Sequence, residues 1–343
     1  MSLTLEKIAE LSGVSRSTVS RVINAHPHVS DKVRERVWQV IQETGYQPDA
    51  AARSLVTRRS QIIGVIIPEA VTILFTDPFF VRFLSGVTSA TNSNRYHLML
   101  SLMKDPAGQE EMYRRVVRSG HLDGAIIASA RLDDPLIPRL LRDRFPFVMV
   151  GRYPDRHVSY VDIDNVASAR MAVEHLIRLG HRRIATITGP LNMVGGADRM
   201  EGYRQALVAH GIPLDEALVA HGDFTESSGR KGAQELLPAS PTAIFAANDT
   251  MAIGAVKTLR RADLQVPRDV ALVGFDDMPV ASAVEPALTT VRQPIERLGE
   301  MATELLLDQL ERSRDREAQA HRIILTAELV VRGSCGALAP KES

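Results

Sequence analysis

Residues 4–24, TLEKIAELSGVSRSTVSRVIN, constrain this chain more than any other stretch, because they can bury their apolar positions only as two short helices set against each other. Leu5, Ile8, Ala9 and Ser12 recur at helical spacing, and Thr4 stands where a side-chain oxygen caps a first turn. Gly13 supplies the left-handed conformation that ends a helix, and Ser15 can cap the next one, with Val14 just outside it. In the second helix Val19, Val22 and Ile23 share one face, while Arg16, Ser17, Ser20 and Arg21 share the other. That is the layout of a helix-turn-helix, whose second helix lies in the major groove of DNA. An arginine there can grip guanine O6 and N7 together, which assigns Arg16 and Arg21, with Ser17, to base edges. Thr4, Ser15, Thr18, Ser20, Asn24 and Ser30 offer the short polar groups that suit phosphates, contacts that position rather than specify. The competing reading is an amphipathic helix pair in a small bundle.

Ser30 can cap a third helix, with Asp31 in its first turn, a buried stripe of Val33, Val37, Val40 and Ile41, and Gly45 at its end. Trp38, the only tryptophan, reads as packing at the edge of this small core. Residues 47–60, QPDAAARSLVTRRS, form a junction: Pro48 can start a helix and AAARSL favours one, yet the segment is too short and polar to be stable alone.

From Gln61 onward short apolar runs alternate with amphipathic helices. Strands are expected at 62–67, 97–103, 124–129 and 147–151, with helices over 79–92, 108–119 and 135–144 between them. The alternation restarts with a helix over 166–180, strands at 183–188, 218–220, 243–248 and 270–275, and helices over 198–210, 226–237 and 250–262. A strand at 288–291, a helix over 295–311 and strands around 322–325 and 329–331 close the chain. Near-continuous apolar strands alternating with helices predict parallel sheets covered on both faces. The fold class is therefore an α/β core of two doubly wound parallel-sheet lobes behind an N-terminal all-α helix-turn-helix domain.

Charge is distributed in keeping with that division. Residues 1–59 hold nine Lys/Arg against six Asp/Glu, an excess of three in a chain whose 41 cations balance 41 anions. A basic head on a mildly acidic body fits a DNA-binding unit joined to a small-molecule sensor. With Cys335 the only cysteine, there is no intrachain disulfide, and neither a zinc cluster nor any other cofactor is expected. No signal-peptide pattern and no membrane-length apolar run is visible, so a cytoplasmic protein with no membrane partner is expected.

TLEKIAELSGVSRSTVSRVIN followed by VSDKVRERVWQVIQETGYQPDAAARSL resembles the start of a LacI/GalR-family transcriptional regulator. The resemblance runs on through LGHRRIATITG, RMEGYRQAL, FAANDTMAIGA, ALVGFDD, PALTTVRQP and LVVRGSC, in the family's order. It implies a DNA-binding head at 1–46, a hinge helix at 47–60 and a core at 61–343 resembling periplasmic sugar-binding proteins. The chain would cross between the lobes three times, giving lobe 1 about 61–161 and 292–322 and lobe 2 about 162–291 and 323–338. The hinge helices of a homodimer would order on palindromic operator DNA, with Leu55 wedged into the minor groove and the small Ala52 allowing close approach. No leucine heptad follows residue 338, so a dimer rather than a tetramer is expected.

Ligands of open α/β sheets bind beyond the carboxyl ends of the strands. Asp77, Arg152, Asn248, Asp249, Asp276 and Asp277 all follow strands, with Phe79 and Phe80 opening the next helix and Arg199 near the start of another. Planar polar side chains facing aromatics suit a polyol, whose paired hydroxyls and C–H faces they match. The resemblance places Arg199, Asn248 and Asp276 at the effector, Phe224 stacked on it, and Phe79 and Arg152 along the cleft. Asn248 and Asp249 have a second reading as caps of the helix from residue 250, and Asp277 as a cap or backbone partner. The set points to a sugar, a glucoside or disaccharide, with a purine, nucleoside or sugar phosphate as the alternative. Enzymes are excluded by motif: GPLNMVGG lacks dinucleotide spacing, and no GxxxxGK[ST], GxSxG or HExxH occurs. A transport-associated sugar-binding protein would share the core but not the helix-turn-helix.

Overall fold

Two units divide the chain, Met1–Gln61 and Ile62–Ser343. The computed structural model describes residues 3–23, 28–46, 59–67, 77–102, 106–128, 131–312 and 320–337. In the first unit α1 (Leu5–Ser12), α2 (Arg16–Ile23) and α3 (Asp31–Thr44) enclose Ile8, Ala9, Val19, Val22, Val37, Ile41 and Tyr46. The Thr4 side chain accepts from Lys7 N, and Gly13 and Gly45 end α1 and α3 at φ of 61° and 65°. Ser15 Oγ accepts from Thr18 N at 3.1 Å, so α2 is capped as its sequence requires. Ser30 departs from expectation: its backbone takes the N-cap position but its side chain makes no capping bond. Trp38 is 41% exposed, more solvent-facing than a core-edge residue.

In the second unit two six-stranded sheets form. The first has the order β11-β5-β4-β3-β1-β2 and the second β12-β10-β9-β8-β6-β7. The first is built from β1 (Ile62–Ile67), β2 (His97–Leu102), β3 (Gly124–Ala128), β4 (Phe147–Val150), β5 (Ser159–Ile163) and β11 (Arg322–Leu325). The second contains β6 (Ile184–Thr188), β7 (Val219–His221), β8 (Ala243–Ala246), β9 (Ala271–Asp276), β10 (Thr289–Arg292) and β12 (Glu328–Val330). All pairings are parallel except β10 with β12, so the second sheet carries one antiparallel edge. β1 and β3, both central, are buried almost throughout, which is why they read as unbroken apolar runs.

Helices α4 (Pro78–Ser93), α5 (Pro106–Met112), α6 (Leu136–Arg142) and α12 (Ile295–Arg312) cover the first sheet. α5 runs on into a π-helical turn, Tyr113–Val117, where one regular helix over 108–119 was expected. The second sheet carries α7 (Asn165–Arg178), α8 (Val194–Ala209), α9 (Glu226–Leu236), α10 (Asp249–Arg261) and the short α11 (Pro279–Ala283). Gly86 lets α4 approach α12 closely: a Cβ there would overlap the Glu296 carbonyl. The chain passes between the sheets after β5, after β10 and after β11. The lobe boundaries expected near 161, 292 and 322 fall within β5, β10 and β11; in β5 the polar Ser159 and Asp162 interrupt what would otherwise read as an apolar run.

Candidate functional site

The head presents one face of α2. Arg16, Ser17 and Arg21 are exposed, whereas Val19 and Val22, three residues apart on the opposite side, are buried. Arg16 pairs with Glu6 at 3.0 Å, both exposed, an interaction weak enough to yield to a stronger anion. Ser15 Oγ lies 2.8 Å from both Ser17 Oγ and Thr18 Oγ1, so the hydroxyls at the start of α2 form one local network. Asn24, Ala52 and Leu55 lie outside the described residues.

In the core, the carboxyl ends of both sheets meet at a cavity of about 240 Å³. Phe79, Arg152, Arg199, Phe224, Asn248 and Asp276 all line it. Asp77, named from sequence, caps α4 by accepting from Phe79 N at 3.0 Å, which fixes Phe79 at the wall. Phe224 reaches its place through a left-handed backbone at φ 68°, and its ring occupies the space that a Cβ on residue 189 would take, so Gly189 leaves room for the ring. Asp276 ends β9 with φ 109°, a conformation rare for a residue with a side chain.

Arg199 is the hub. Its Nε donates to Asn165 Oδ1 at 3.0 Å and one terminal nitrogen to Ala247 O at 2.6 Å, with Asp276 Oδ1 at 3.4 Å. The guanidinium stacks 3.8 Å from the Phe275 ring centroid and stands 5.8 Å from that of Phe224. Gln293 donates to Asp276 Oδ1 as well. Burial pushes the Asp276 carboxyl up to about 7; Arg199 opposes that and the nearby Asp77 adds to it. Burial likewise raises Asp162 to about 6, against the backbone N–H groups of Arg152 and Ile163 that bond it. Burial lowers Arg199, with Asp276 and Asp162 holding it charged. Arg152 reaches across the mouth to Asp198 on α8, linking the lobes.

Asn248 does both things foreseen for it. It caps α10 by accepting from Met251 N at 2.8 Å, donates to Phe224 O at 3.0 Å, and lines the cavity. Asp249 is structural: fully buried, it accepts from Thr290 Oγ1 at 2.6 Å and from Met278 N at 2.7 Å. Asp277 pairs with Arg292 at 2.6 Å and Arg332 at 2.7 Å rather than capping a loop. The sequence reading missed Asp162, Asn165, Asp223, Met193 and Gln293, which complete the wall. Asp162 and Asn165 were hidden because β5 went unrecognised; Gln293 follows β10 directly, so the strand-end rule could have found it.

Residues 4–49 match the family model described as bacterial regulatory proteins, lacI family, and residues 173–335 match the periplasmic binding protein-like domain. The HTH-type transcriptional regulator CelR of Thermobifida fusca is 42% identical over 336 residues, 96% of this chain and 98% of that protein. The HTH-type transcriptional repressor CytR of Escherichia coli strain K12 is 33% identical over 338 residues, 98% of this chain and 97% of that one. Among solved structures, the transcriptional regulator CelR–cellobiose complex is 40% identical with TM-score 0.77, over 97% of this chain and 99% of that chain. The lac repressor dimer bound to operator and the anti-inducer ONPF is 27% identical with TM-score 0.84, over 98% and 99%.

A helix-turn-helix head on a two-lobed α/β core defines a DNA-binding regulator of transcription, not an enzyme. The chain belongs to the lacI family of bacterial regulatory proteins. No helix among the described residues is long and apolar enough to cross a membrane.

Proposed function

We propose that this regulator is a homodimeric repressor of a palindromic operator, released or retained according to a neutral sugar held between the lobes. One observation carries the ligand class: both arginines lining the cavity are already engaged, Arg199 by Asn165, Ala247 and Asp276, and Arg152 by Asp198. Asp77, Asp162, Asp223 and Asp276 also line it. A phosphorylated sugar would bring its charge toward these carboxylates with no unengaged cation on the described walls to receive it. A neutral polyol would instead offer hydroxyls to the carboxylates and amides and C–H faces to Phe79 and Phe224. The cellobiose held by the similar CelR supports a disaccharide in particular.

At the DNA end, Arg16, Ser17 and Arg21 read bases, and Thr4, Ser15, Thr18, Ser20, Asn24 and Ser30 hold phosphates. Ala52 and Leu55 form the hinge contact in the minor groove. Sugar binding changes the angle between lobes and so the spacing of the two hinges, which alters DNA affinity. Isothermal titration of the purified chain with cellobiose, glucose and a glucose phosphate tests the ligand class. Heat from the neutral sugars alone supports it; binding of the phosphate alone overturns it.

A further inference from the structure

The strands of the first sheet are mutually parallel, so their amino ends form one pole, opposite the cavity. This pole is where the DNA-binding unit is tethered, because Gln61 runs directly into Ile62 at the start of β1. The Asp123 N–H donates to Ile62 O at 2.9 Å, which fastens the entry point to the loop before β3.

Arginines surround that entry point. Arg95 precedes β2, Arg118 precedes β3, and Arg142 and Arg144 end α6 and precede β4. Since the order is β2-β1-β3-β4 and neighbouring strands lie about 5 Å apart, the set spans roughly 15 Å across the pole. All four are exposed. Among the described residues no ion pair engages Arg95, Arg118 or Arg144, and Arg142 has only a loose one with Asp143 at 3.7 Å. Arg118, Arg139 and Arg142 line one depression around Tyr113, where Arg139 stacks 3.7 Å over the ring and is neutralised by Glu110. Arg95 and Arg144 occupy left-handed positions at φ of 59° and 52°, where glycine is the usual residue.

Helix C-termini favour cations, and that alone would place arginines at such a pole. The second lobe provides a comparison, since its helices also end at the amino ends of their strands. There Arg182, Arg183 and Arg260 are turned onto main-chain carbonyls, and Arg268 is paired with Asp269. Arg178 and Arg261 are exposed there as well, so what sets the first pole apart is that it carries the tether of the DNA-binding unit.

We propose that Arg95, Arg118, Arg142 and Arg144 form a second, sequence-independent contact with the phosphate backbone of DNA, adding to the head. Fixed cations near a duplex release condensed counterions, and each phosphate neutralised steepens the fall of log Kobs with log salt by about 0.9. The experiment compares the full-length chain with a variant carrying R95Q, R118Q, R142Q and R144Q, over a salt series. It uses operator DNA with long flanks and unrelated DNA of equal length. The salt slope should fall by roughly 1–4 on both DNAs, with the affinity ratio between them kept. Arg178→Gln with Arg261→Gln, at the opposite pole, should leave the slope unchanged. If the quadruple variant unfolds, the singles R118Q and R144Q should each lower the slope by up to about 0.9. Superimposable slopes overturn the proposal and would fit an acidic protein partner for this surface instead. An equal loss from the opposite-pole variant overturns it too, by showing only a net-charge effect.

Discussion

Replacing Asp276 by Asn should change how stability depends on pH, in a direction fixed by the site. Asp276 is 4% exposed, and burial holds its carboxyl at about 7 in the folded chain, against 3.8 when solvated. Between those values the folded state keeps a proton that the unfolded state has lost. Stability therefore falls by about 1.4 kcal/mol for each pH unit over that range, and levels off above pH 7. From pH 5 to pH 8 the loss from this one group amounts to about 2–3 kcal/mol. Asn keeps the shape and can still accept from Gln293, but does not titrate. It leaves Arg199 without its carboxylate, a cost that displaces the curve without tilting it. Asp162, at about 6, contributes a similar slope to both proteins and largely cancels in the difference. Asp77, Arg82 and Arg199 also face this carboxylate, and Asp276 in turn helps hold the buried Asp249 up, so removing its charge relaxes Asp249 and flattens the curve in the same direction. Urea unfolding followed by circular dichroism is the assay, since Trp38, the only tryptophan, belongs to the head rather than to the unit that holds Asp276. Parallel pH curves for wild type and D276N would refute the reasoning.

Two further substitutions separate the ends of the molecule. Arg21→Ala should weaken operator binding by about 1–3 kcal/mol and relax the preference at one base pair, leaving sugar binding untouched, as competition with single-base operator variants would reveal. Gly189→Ala should do the reverse: its Cβ would displace the Phe224 ring, so calorimetry should show weakened sugar binding while DNA affinity without ligand is retained.

The head was legible residue by residue because helix caps and apolar spacing are local properties. Thr4, Gly13, Ser15 and Gly45 do what their types favour, and Ile8, Val19, Val22 and Val37 are buried. Ser30 shows the limit: the residue type suited a cap, yet only its backbone takes part. The central strands were legible for a different reason, since burial on both faces leaves an apolar run. β5 escaped notice because Asp162 interrupts it, and with it went Asp162 and Asn165 of the cavity wall. Spacing alone could not tell which polar residues at strand ends line the cavity and which brace the fold; the family resemblance is what singled out Asn248 and Asp276 from their neighbours. Asp249 and Asp277 sit beside Asn248 and Asp276 in the chain, but their partners are Thr290, Met278, Arg292 and Arg332, which lie far off in sequence. The engagement of Arg152 by Asp198 was equally hidden, and it bears directly on which ligands the cavity admits.

The most direct test of ligand control over DNA binding is to measure sugar affinity by calorimetry with and without saturating operator. Coupling between two sites is reciprocal, so operator should change sugar affinity by the same factor by which sugar changes operator affinity, about 5–150-fold for typical couplings. Matching factors from the two titrations are the expected result. Identical sugar affinities in the presence and absence of operator would contradict control of the DNA-binding head by the cleft.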